Sequence, residues 1–175
     1  LPPDNLTGLN AALDRLDHAI RHREPILVYG DYDVDGATAT ALTVRVLRQL
    51  GADVAWFIPN RSVHGYGFSL AGLADLPGAP HLILTVDNGI QSHDAIAAAR
   101  ARGIDVVVTD HHLPGETLPP ANAIVNPNRR DCPFAGKHLA GVGVAFYLLL
   151  ALRSRLLAEN RWPDTLRLSD YLDLV

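Results

Sequence analysis

Three aspartates at alternate positions follow a short apolar run near the start of the chain. The run covers residues 27–29, and the carboxylates are Asp31, Asp33 and Asp35. If the backbone stays extended, all three side chains point the same way, because side chains in a strand repeat every two residues. Crowded carboxylates repel one another, and hard divalent cations are the usual counter-charge. The alternative is a solvated acidic turn, since Asp and Gly both favour turns.

Acidic and imidazole groups also follow two later apolar stretches. One stretch ends at Asp87, and the other ends in the run Asp110, His111 and His112. If these stretches are parallel strands, their carboxyl ends share one edge of a sheet, and the groups converge there. Carboxylate oxygen with a little imidazole suits Mg²⁺ or Mn²⁺, and the histidine favours Mn²⁺. Two such ions can clamp the attacking and leaving oxygens of a phosphoryl transfer. Taken alone, Asp87 has the alternative role of a helix cap, and paired histidines are often surface residues.

Apolar stretches alternate with helical patterns along the chain, which predicts an α/β fold. The expected fold is a parallel, Rossmann-like sheet of about five strands with helices on both faces. The strands are expected at residues 26–29, 54–58, 82–86, 104–109 and 123–125. The helices are expected at residues 6–23, 37–50, 69–75, 92–102 and 140–158, with a helix only begun at 169–175.

The segments between these elements carry fewer signals. Asp4 or Asn5 is expected to cap the first helix. Residues 59–67 and 113–122 are expected to be loops, and residues 127–138 are expected to be polar, basic and exposed.

Composition indicates a folded domain. The chain has 175 residues, 48% hydrophobic and 19% charged, which suits one domain with a substantial core. We expect no export signal, and no membrane span, because the longest apolar stretch, residues 139–152, is short and interrupted by glycine. The single cysteine, Cys132, fits the reducing cytoplasm. The net charge of −4 argues weakly against a nucleic-acid binder, but two bound divalent cations would cancel it.

The acidic strand ends resemble the DHH phosphoesterase superfamily. Residues 30–36, 86–90 and 109–112 are similar to its first three motifs. Within the superfamily, the chain is most similar to the RecJ family of single-strand-specific 5′→3′ DNA exonucleases. The stretches that carry this closer resemblance are residues 29–36, 65–67, 124–128 and 139–145. The resemblance extends over nearly the whole chain.

The resemblance implies a role for each residue of the cluster. It implies ligands for Mn²⁺ or Mg²⁺, with Asp31 either binding directly or orienting another ligand: Asp31, Asp33, Asp35, Asp87 and His111. Around them, Asp110 would fix the histidine ring, His112 would face the scissile phosphate, and Arg61 is the candidate phosphate contact. The residues expected to carry catalysis are Asp33, Asp35, Asp87, His111 and His112.

Two interpretations are open for each of several basic residues. Arg61 is either a phosphate contact or an ordinary exposed loop arginine. Arg129, Arg130 and Lys137 either follow a DNA backbone or belong to a solvated face.

The implied activity is metal-dependent hydrolysis of single-stranded DNA from its 5′ end, in recombination and repair. The family also implies single-stranded DNA, single-strand-binding protein and recombination helicases as partners, and a cytoplasmic location. One alternative is a related phosphodiesterase that acts on short oligonucleotides, cyclic dinucleotides or pyrophosphate. Another is a replication scaffold without activity, although such relatives tend to lose the acidic motifs that are all present here.

The chain departs from the family pattern in two places. His64 stands where the family would have an acidic residue before the glycine-tyrosine-glycine stretch. The family also has a further motif with another metal-binding aspartate, and Asp173 is not expected to be that residue. We therefore expect residues 1–175 to be a DHH catalytic domain truncated before that motif, without the second catalytic (DHHA1-type) and OB domains. Such a fragment is expected to bind metal weakly and to turn over poorly by itself.

Overall fold

The five strands of the structure, a computed structural model that describes residues 3–175 except the side chain of Asp4, form one sheet. All neighbouring pairs are parallel, in the order β2-β1-β3-β4-β5. The strands are β1 (Ile26–Tyr29), β2 (Val54–Phe57), β3 (Leu82–Val86), β4 (Asp105–Thr109) and β5 (Ala123–Val125). The predicted parallel sheet is therefore confirmed, and its carboxyl ends share one edge.

Six α-helices of the described residues surround this sheet. They are α1 (Leu9–His22), α2 (Val34–Gln49), α3 (Arg61–His64), α4 (Leu70–Ala74), α5 (His93–Ala101) and α6 (Gly141–Ala158). Helices α1, α2 and α6 pack with Val28 of β1 on one face of the sheet. Helices α4 and α5 pack with Leu27 and Tyr29 on the other face. The strand residues alternate between two apolar cores, which is why the buried strands read as continuous apolar runs.

The aspartates after β1 do not continue the strand. Strand β1 ends at Tyr29, and α2 begins at Val34, earlier than predicted. Asp33 is the N-cap of α2, and its side chain accepts a hydrogen bond from the backbone N–H of Gly36. Asp35 therefore lies in the first helical turn. The backbone therefore does not stay extended through the three carboxylates, which was the condition for their alignment. Aspartate stabilises a helix N-terminus, as a cap at Asp33 and within the first turn at Asp35.

The two ends of the chain also differ from expectation. Helix α1 begins after Gly8, which has a φ of 84°, so a cap at Asp4 or Asn5 is wrong. Residues 3–5 form a short 3₁₀ turn instead. Near the other end, Leu168–Tyr171 is another 3₁₀ turn where a nascent helix was expected.

Two loop predictions also need correction. Helix α3 lies inside the predicted loop 59–67, because the side chain of Asn60 accepts from the N–H of Ser62 and caps a short helix. The segment 127–138 is not generally exposed, since Phe134 is only 2% exposed.

Helix α6 is the longest and most apolar helix of the described chain. By length and composition alone its 18 residues could cross a membrane, so the expectation that this stretch is too short is not supported. In the structure it is a core helix, and its buried residues pack with those of α1 and α2.

Candidate metal centre

Asp87 lies directly after β3 and is 1% exposed. Its φ of 62° is uncommon for a residue other than glycine and is typical of positions held under strain at functional sites. Neither of its carboxylate oxygens accepts a hydrogen bond from any described residue. The Nε2 atom of His111 lies 3.1 Å from Oδ1, but without the alignment of a hydrogen bond. A buried carboxylate without hydrogen-bond donors lowers the stability of the fold unless a positive partner binds it.

The surrounding charges increase that cost. Burial first, and then the carboxylates of Asp35 and Asp33, raise the pKa of Asp87 to about 8. Burial also raises the pKa of the Asp31 carboxyl, and the neighbouring Asp33 adds to this effect. Neighbouring carboxylates thus oppose the ionisation of Asp87 and Asp31, and a cation among them would favour the ionised form of both.

Two groups of possible ligand atoms meet at Asp87. Oxygens of Asp31, Asp33 and Asp87 all lie within 4.8 Å of one another. Ligand atoms of Asp87, His111 and His112 form a second group of the same size. Because Asp87 belongs to both groups, residues after β1, after β4 and at the start of α2 all lie close to its carboxylate.

Asp35 has a structural role that the sequence did not reveal. Its two oxygens accept hydrogen bonds of 2.7 Å from the backbone N–H groups of Gly141 and Val142. These are the first residues of α6, so Asp35 caps that helix from another element. Its Oδ2 also lies 3.5 Å from Nε2 of His111. Asp35 therefore fixes the start of α6 beside the carboxylate cluster.

Gly141 allows this close approach. A Cβ atom at this position would lie 2.3 Å from Oδ1 of Asp87, well inside contact distance. Only glycine lets the start of α6 lie against the Asp87 carboxylate.

Asp110 holds the second histidine. Its side chain is 1% exposed, and Oδ1 lies 2.7 Å from Nδ1 of His112. Asp110 also accepts hydrogen bonds from the backbone N–H groups of Ile90, His111 and His112. The hydrogen bond to Asp110 raises the pKa of His112 to about 9. The ring that Asp110 orients is thus the ring of His112, whereas His111 faces Asp35 and Asp87.

Two asparagines after β5 hold the backbone of the histidines. The side-chain amide of Asn126 donates to the carbonyl of His112 at 2.9 Å, and the amide of Asn128 donates to the carbonyl of His111. The sequence indicated this stretch only as a family resemblance, without a role. The structure makes it a support for the strand end that carries both histidines.

Arg61 begins α3 and contacts Tyr32. Its Nη1 donates to the hydroxyl of Tyr32 at 2.7 Å, and its guanidinium carbon lies 5.2 Å from the centre of that ring. Tyr32 stands between two of the clustered aspartates. The sequence did not predict this contact, which holds the guanidinium against the Tyr32 side chain.

Within residues 3–175, no arginine or lysine forms a salt bridge with any carboxylate of the cluster. The charges that lack such a partner belong to Asp31, Asp33, Asp35, Asp87 and Asp110. Carboxylates with one imidazole are a suitable donor set for Mn²⁺ or Mg²⁺. The two buried oxygens of Asp87 accept no hydrogen bond from the described residues, so both are available to bind a cation. The residues present therefore fit a metal.

Comparison with known families identifies the family of this chain. The sequence profile described as DHH family, N-terminal domain, matches residues 25–175. The chain belongs to the DHH family. The predicted superfamily is thus confirmed, and the DHH core now accounts for all five strands.

Named relatives of this DHH chain are single-strand exonucleases. The single-stranded-DNA-specific exonuclease RecJ of Escherichia coli is 51% identical over 183 residues, covering 100% of this chain and 31% of that protein. RecJ of Thermus thermophilus is 44% identical over 154 residues, covering 86% of this chain and 22% of that protein. The resemblance to RecJ is confirmed, and the chain spans less than a third of the length of these relatives.

Solved structures agree with this fold. A crystal structure of exonuclease RecJ bound to manganese matches with a TM-score of 0.82 and 43% identity, covering 98% of this chain and 42% of that chain. The structure of Thermus thermophilus RecJ in complex with Mn²⁺ matches with a TM-score of 0.74 and 42% identity, covering 95% of this chain and 23% of that chain.

Two of the basic residues with two interpretations, Arg129 and Lys137, make contacts within the chain. Arg129 pairs with Asp131 and also donates to the carbonyl of Ile124. Lys137 donates to backbone carbonyls within its own segment. These two side chains hold the loop after β5, which makes a contact with DNA backbone unnecessary to explain them. Arg130 remains exposed.

Proposed function

We propose that this chain is the metal-binding catalytic core of a single-stranded-DNA exonuclease that hydrolyses phosphodiesters from the 5′ end. The observation that carries the proposal is the buried Asp87 carboxylate at the meeting point of three acidic strand ends, whose two oxygens accept no hydrogen bond from any described residue. The similarity to RecJ supports the substrate class, and the solved relatives with manganese and magnesium support the cofactor.

Five side chains would hold Mn²⁺ or Mg²⁺ in this proposal: Asp31, Asp33, Asp35, Asp87 and His111. A bound pair of such ions would stabilise charge on the phosphate and lower the pKa of water enough for attack near neutral pH. The chain's contribution is geometric, because capping contacts hold Asp33 and Asp35 in place before any ligand arrives. Such preorganisation lowers the cost of assembling like charges around a cation.

The remaining site residues would bind and orient the DNA phosphate. Asp110 holds Nδ1 of His112, and the hydroxyl of Tyr66 lies 3.1 Å from Nε2, so a phosphate would share Nε2 with that hydroxyl. Arg61 is held by Tyr32 through a single N–H group. Its other N–H groups make no hydrogen bond within the described residues, and they could pair with phosphate oxygens. His112 and Arg61 would therefore contact the scissile or a neighbouring phosphate.

The wider cellular role follows the relatives. We place the activity in recombination and repair in the cytoplasm, with single-stranded DNA as substrate and single-strand-binding protein and recombination helicases as partners. The named exonuclease relatives support this role. We further propose that catalysis by residues 1–175 is weak without the regions of RecJ that the chain does not span.

Nuclease assays of the full-length protein that contains this chain test the proposal. With Mn²⁺, a 5′-labelled single strand should release mononucleotides faster than a duplex, a dinucleotide or a cyclic dinucleotide is hydrolysed. Asp87→Asn should reduce the rate by about 100-fold or more, since even residues that only support metal ligands cost 10- to 100-fold. The matched control is Asp53→Asn, an exposed carboxylate before β2, which should leave the rate unchanged.

Two results would contradict the proposal in different ways. An Asp87→Asn protein with full Mn²⁺-dependent activity would show that the carboxylate cluster is not the active site. Faster hydrolysis of dinucleotides or cyclic dinucleotides than of long single strands would leave the site intact but replace the substrate.

A further inference from the structure

Both ring nitrogens of His112 are engaged in the structure. Nδ1 lies 2.7 Å from Oδ1 of Asp110, and Nε2 lies 3.1 Å from the hydroxyl oxygen of Tyr66. The two rings are nearly perpendicular, with an interplanar angle of 89°. Asp110 alone would allow the ring to rock about the Nδ1 contact, whereas a second contact on the opposite nitrogen fixes its plane. No other described hydroxyl donates to or accepts from this ring.

The loop that carries Tyr66 is anchored so that its hydroxyl reaches this position. Gly65 and Gly67 have φ values of 79° and 65°, a conformation that suits glycine and gives the sharp bends on either side of the tyrosine. The hydroxyl of Tyr29 donates to the carbonyl of Gly67 at 3.3 Å and ties the loop to the core. The backbone on either side of Tyr66 therefore holds the tyrosine side chain in one direction.

His64 supplies the other anchor of the loop. Its Nδ1 accepts from the backbone N–H of Asn60 at 2.8 Å, and its Nε2 lies 3.0 Å from a carboxylate oxygen of Asp75. The side chain of His64 is 10% exposed and does not contact the carboxylate cluster. The departure from the family pattern at this position thus maintains the loop rather than the metal site.

Space for a ligand lies next to the clamped ring. A pocket of about 250 Å³ is lined by Tyr66, His112 and Asp110 together with residues 88–92. The ring of Tyr66 forms one wall of this pocket and is 58% exposed. A change in the position of Tyr66 would therefore alter both the orientation of His112 and the shape of the space beside it.

We infer that Tyr66 is a positioning residue for the phosphodiester reaction, and that its hydroxyl fixes the plane of the His112 ring. This inference rests on the proposed function, because His112 is taken to face the DNA phosphate. It differs from a role in stacking on DNA bases, for which the exposed ring would be enough and the hydroxyl would not matter. The two roles make opposite predictions for removal of the hydroxyl alone.

Steady-state kinetics of the full-length protein on a 5′-labelled single strand with Mn²⁺ separate these roles. Tyr66→Phe keeps the ring and should lower kcat about tenfold while KM changes much less, because orientation matters most in the transition state. Its melting temperature should stay unchanged, since the hydroxyl is at the protein surface. The matched control is Tyr147→Phe, which removes a hydroxyl on α6 away from the site and should leave kcat unchanged.

A double-mutant cycle identifies the residue through which Tyr66 acts. In a His112→Ala background, Tyr66→Phe should cost little further activity, because its partner is already gone. If the two losses multiply instead, Tyr66 does not act through His112 and the inference is overturned. It is also overturned if Tyr66→Phe retains full kcat while Tyr66→Ala loses activity, since that result assigns the ring to stacking.

The Asp87→Asn protein, assayed in parallel, distinguishes this inference from the proposed function. An active Asp87→Asn protein refutes the proposed site itself. An inactive Asp87→Asn protein with a fully active Tyr66→Phe protein refutes only the role of Tyr66.

Discussion

Carboxylates gather at both edges of the parallel sheet, but their partners differ. At the amino edge, Arg15 of α1 donates to Glu24 at 2.6 Å and also pairs with Asp105 at the start of β4. At the carboxyl edge, Asp31 and Asp87 have no arginine or lysine partner within the described residues. The carboxylates of the amino edge share a cationic partner within the chain, and those of the carboxyl edge have none within the described residues.

This difference separates structural from functional acidic residues better than burial does. Removing the cation from a paired, partly buried carboxylate destabilises the fold, because it leaves a charge without compensation. An unpaired, buried carboxylate reduces stability, and it persists where a ligand compensates for it. Removing the Arg15 cation should therefore destabilise the amino edge, whereas removing the Asp87 carboxylate should stabilise the carboxyl edge in the absence of metal.

The largest expected effect is at the carboxyl edge, when metal is added or removed. Mn²⁺ at 100 times its dissociation constant should stabilise the wild-type protein by about 2.7 kcal/mol relative to EDTA. Asp87→Asn should gain little from Mn²⁺. In EDTA, however, it should melt above the wild type. Burial, and then Asp35 and Asp33, raise the pKa of Asp87 to about 8, so the wild-type carboxyl must take up a proton on folding and the asparagine need not. Differential scanning calorimetry with and without Mn²⁺ measures both effects.

Asp53→Asn again serves as the control for that experiment, since its carboxylate is exposed. If Asp87→Asn melts below the wild type in EDTA, the carboxylate is stabilising by itself, and the contrast between the two edges is lost. An equal gain from Mn²⁺ in both proteins would show that the cation binds elsewhere.

The next effect in size is at the amino edge. Arg15→Ala should lower the free energy of unfolding by about 2 kcal/mol, because Glu24 and Asp105 are left without their shared cation in a half-buried position. Urea unfolding in EDTA measures the change. Arg48→Ala, an exposed arginine near the end of α2, should cost much less. Equal losses for the two variants would show that the Arg15 pairs contribute no more than surface charge.

Periodicity and alternation predicted the sheet well because they depend on local burial. Strand bounds agree within one residue, as at β2, where residues 54–58 were expected and Val54–Phe57 is observed. The convergence of Asp87 with Asp31 and Asp33 also followed, since parallel strands place their ends together. These features need only the order of elements along the chain.

The sequence could not predict contacts that depend on three-dimensional packing. Asp35 caps α6 from 106 residues away, and nothing near Asp35 or Gly141 indicates that pair. The contact between Tyr66 and His112 spans 46 residues and depends on the exact path of a loop. Both residues lay in stretches that the family resemblance had indicated, but a resemblance to a motif does not give the partner of each side chain.

The smallest expected effect concerns pH and again contrasts the two edges. Partial burial opposes ionisation of Glu24, but the hydrogen bond and charge of Arg15 outweigh it and hold the pKa of that carboxyl below its ordinary 4.5. The unfolded chain then binds more protons than the folded one in acid. The stability that Glu24 contributes is present above about pH 4.5 and is lost as the pH falls through its folded pKa. Asp87, with its pKa raised to about 8, behaves oppositely without metal, because its contribution to stability declines as the pH rises toward that value.

Glu24→Gln tests the acid side of this contrast. It should flatten the fall of unfolding free energy below about pH 4.5, by about 0.5 kcal/mol, since the pair is only partly buried. Urea unfolding at several pH values between neutral and acid measures the slope, and Glu116→Gln, an exposed loop carboxyl, should leave it as in the wild type. An identical slope for Glu24→Gln and wild type would mean that Arg15 does not favour the ionised form of Glu24. Arg15 and Glu24 would then be close together without stabilising the fold. The presence or absence of a cationic partner would no longer distinguish the two edges of the sheet.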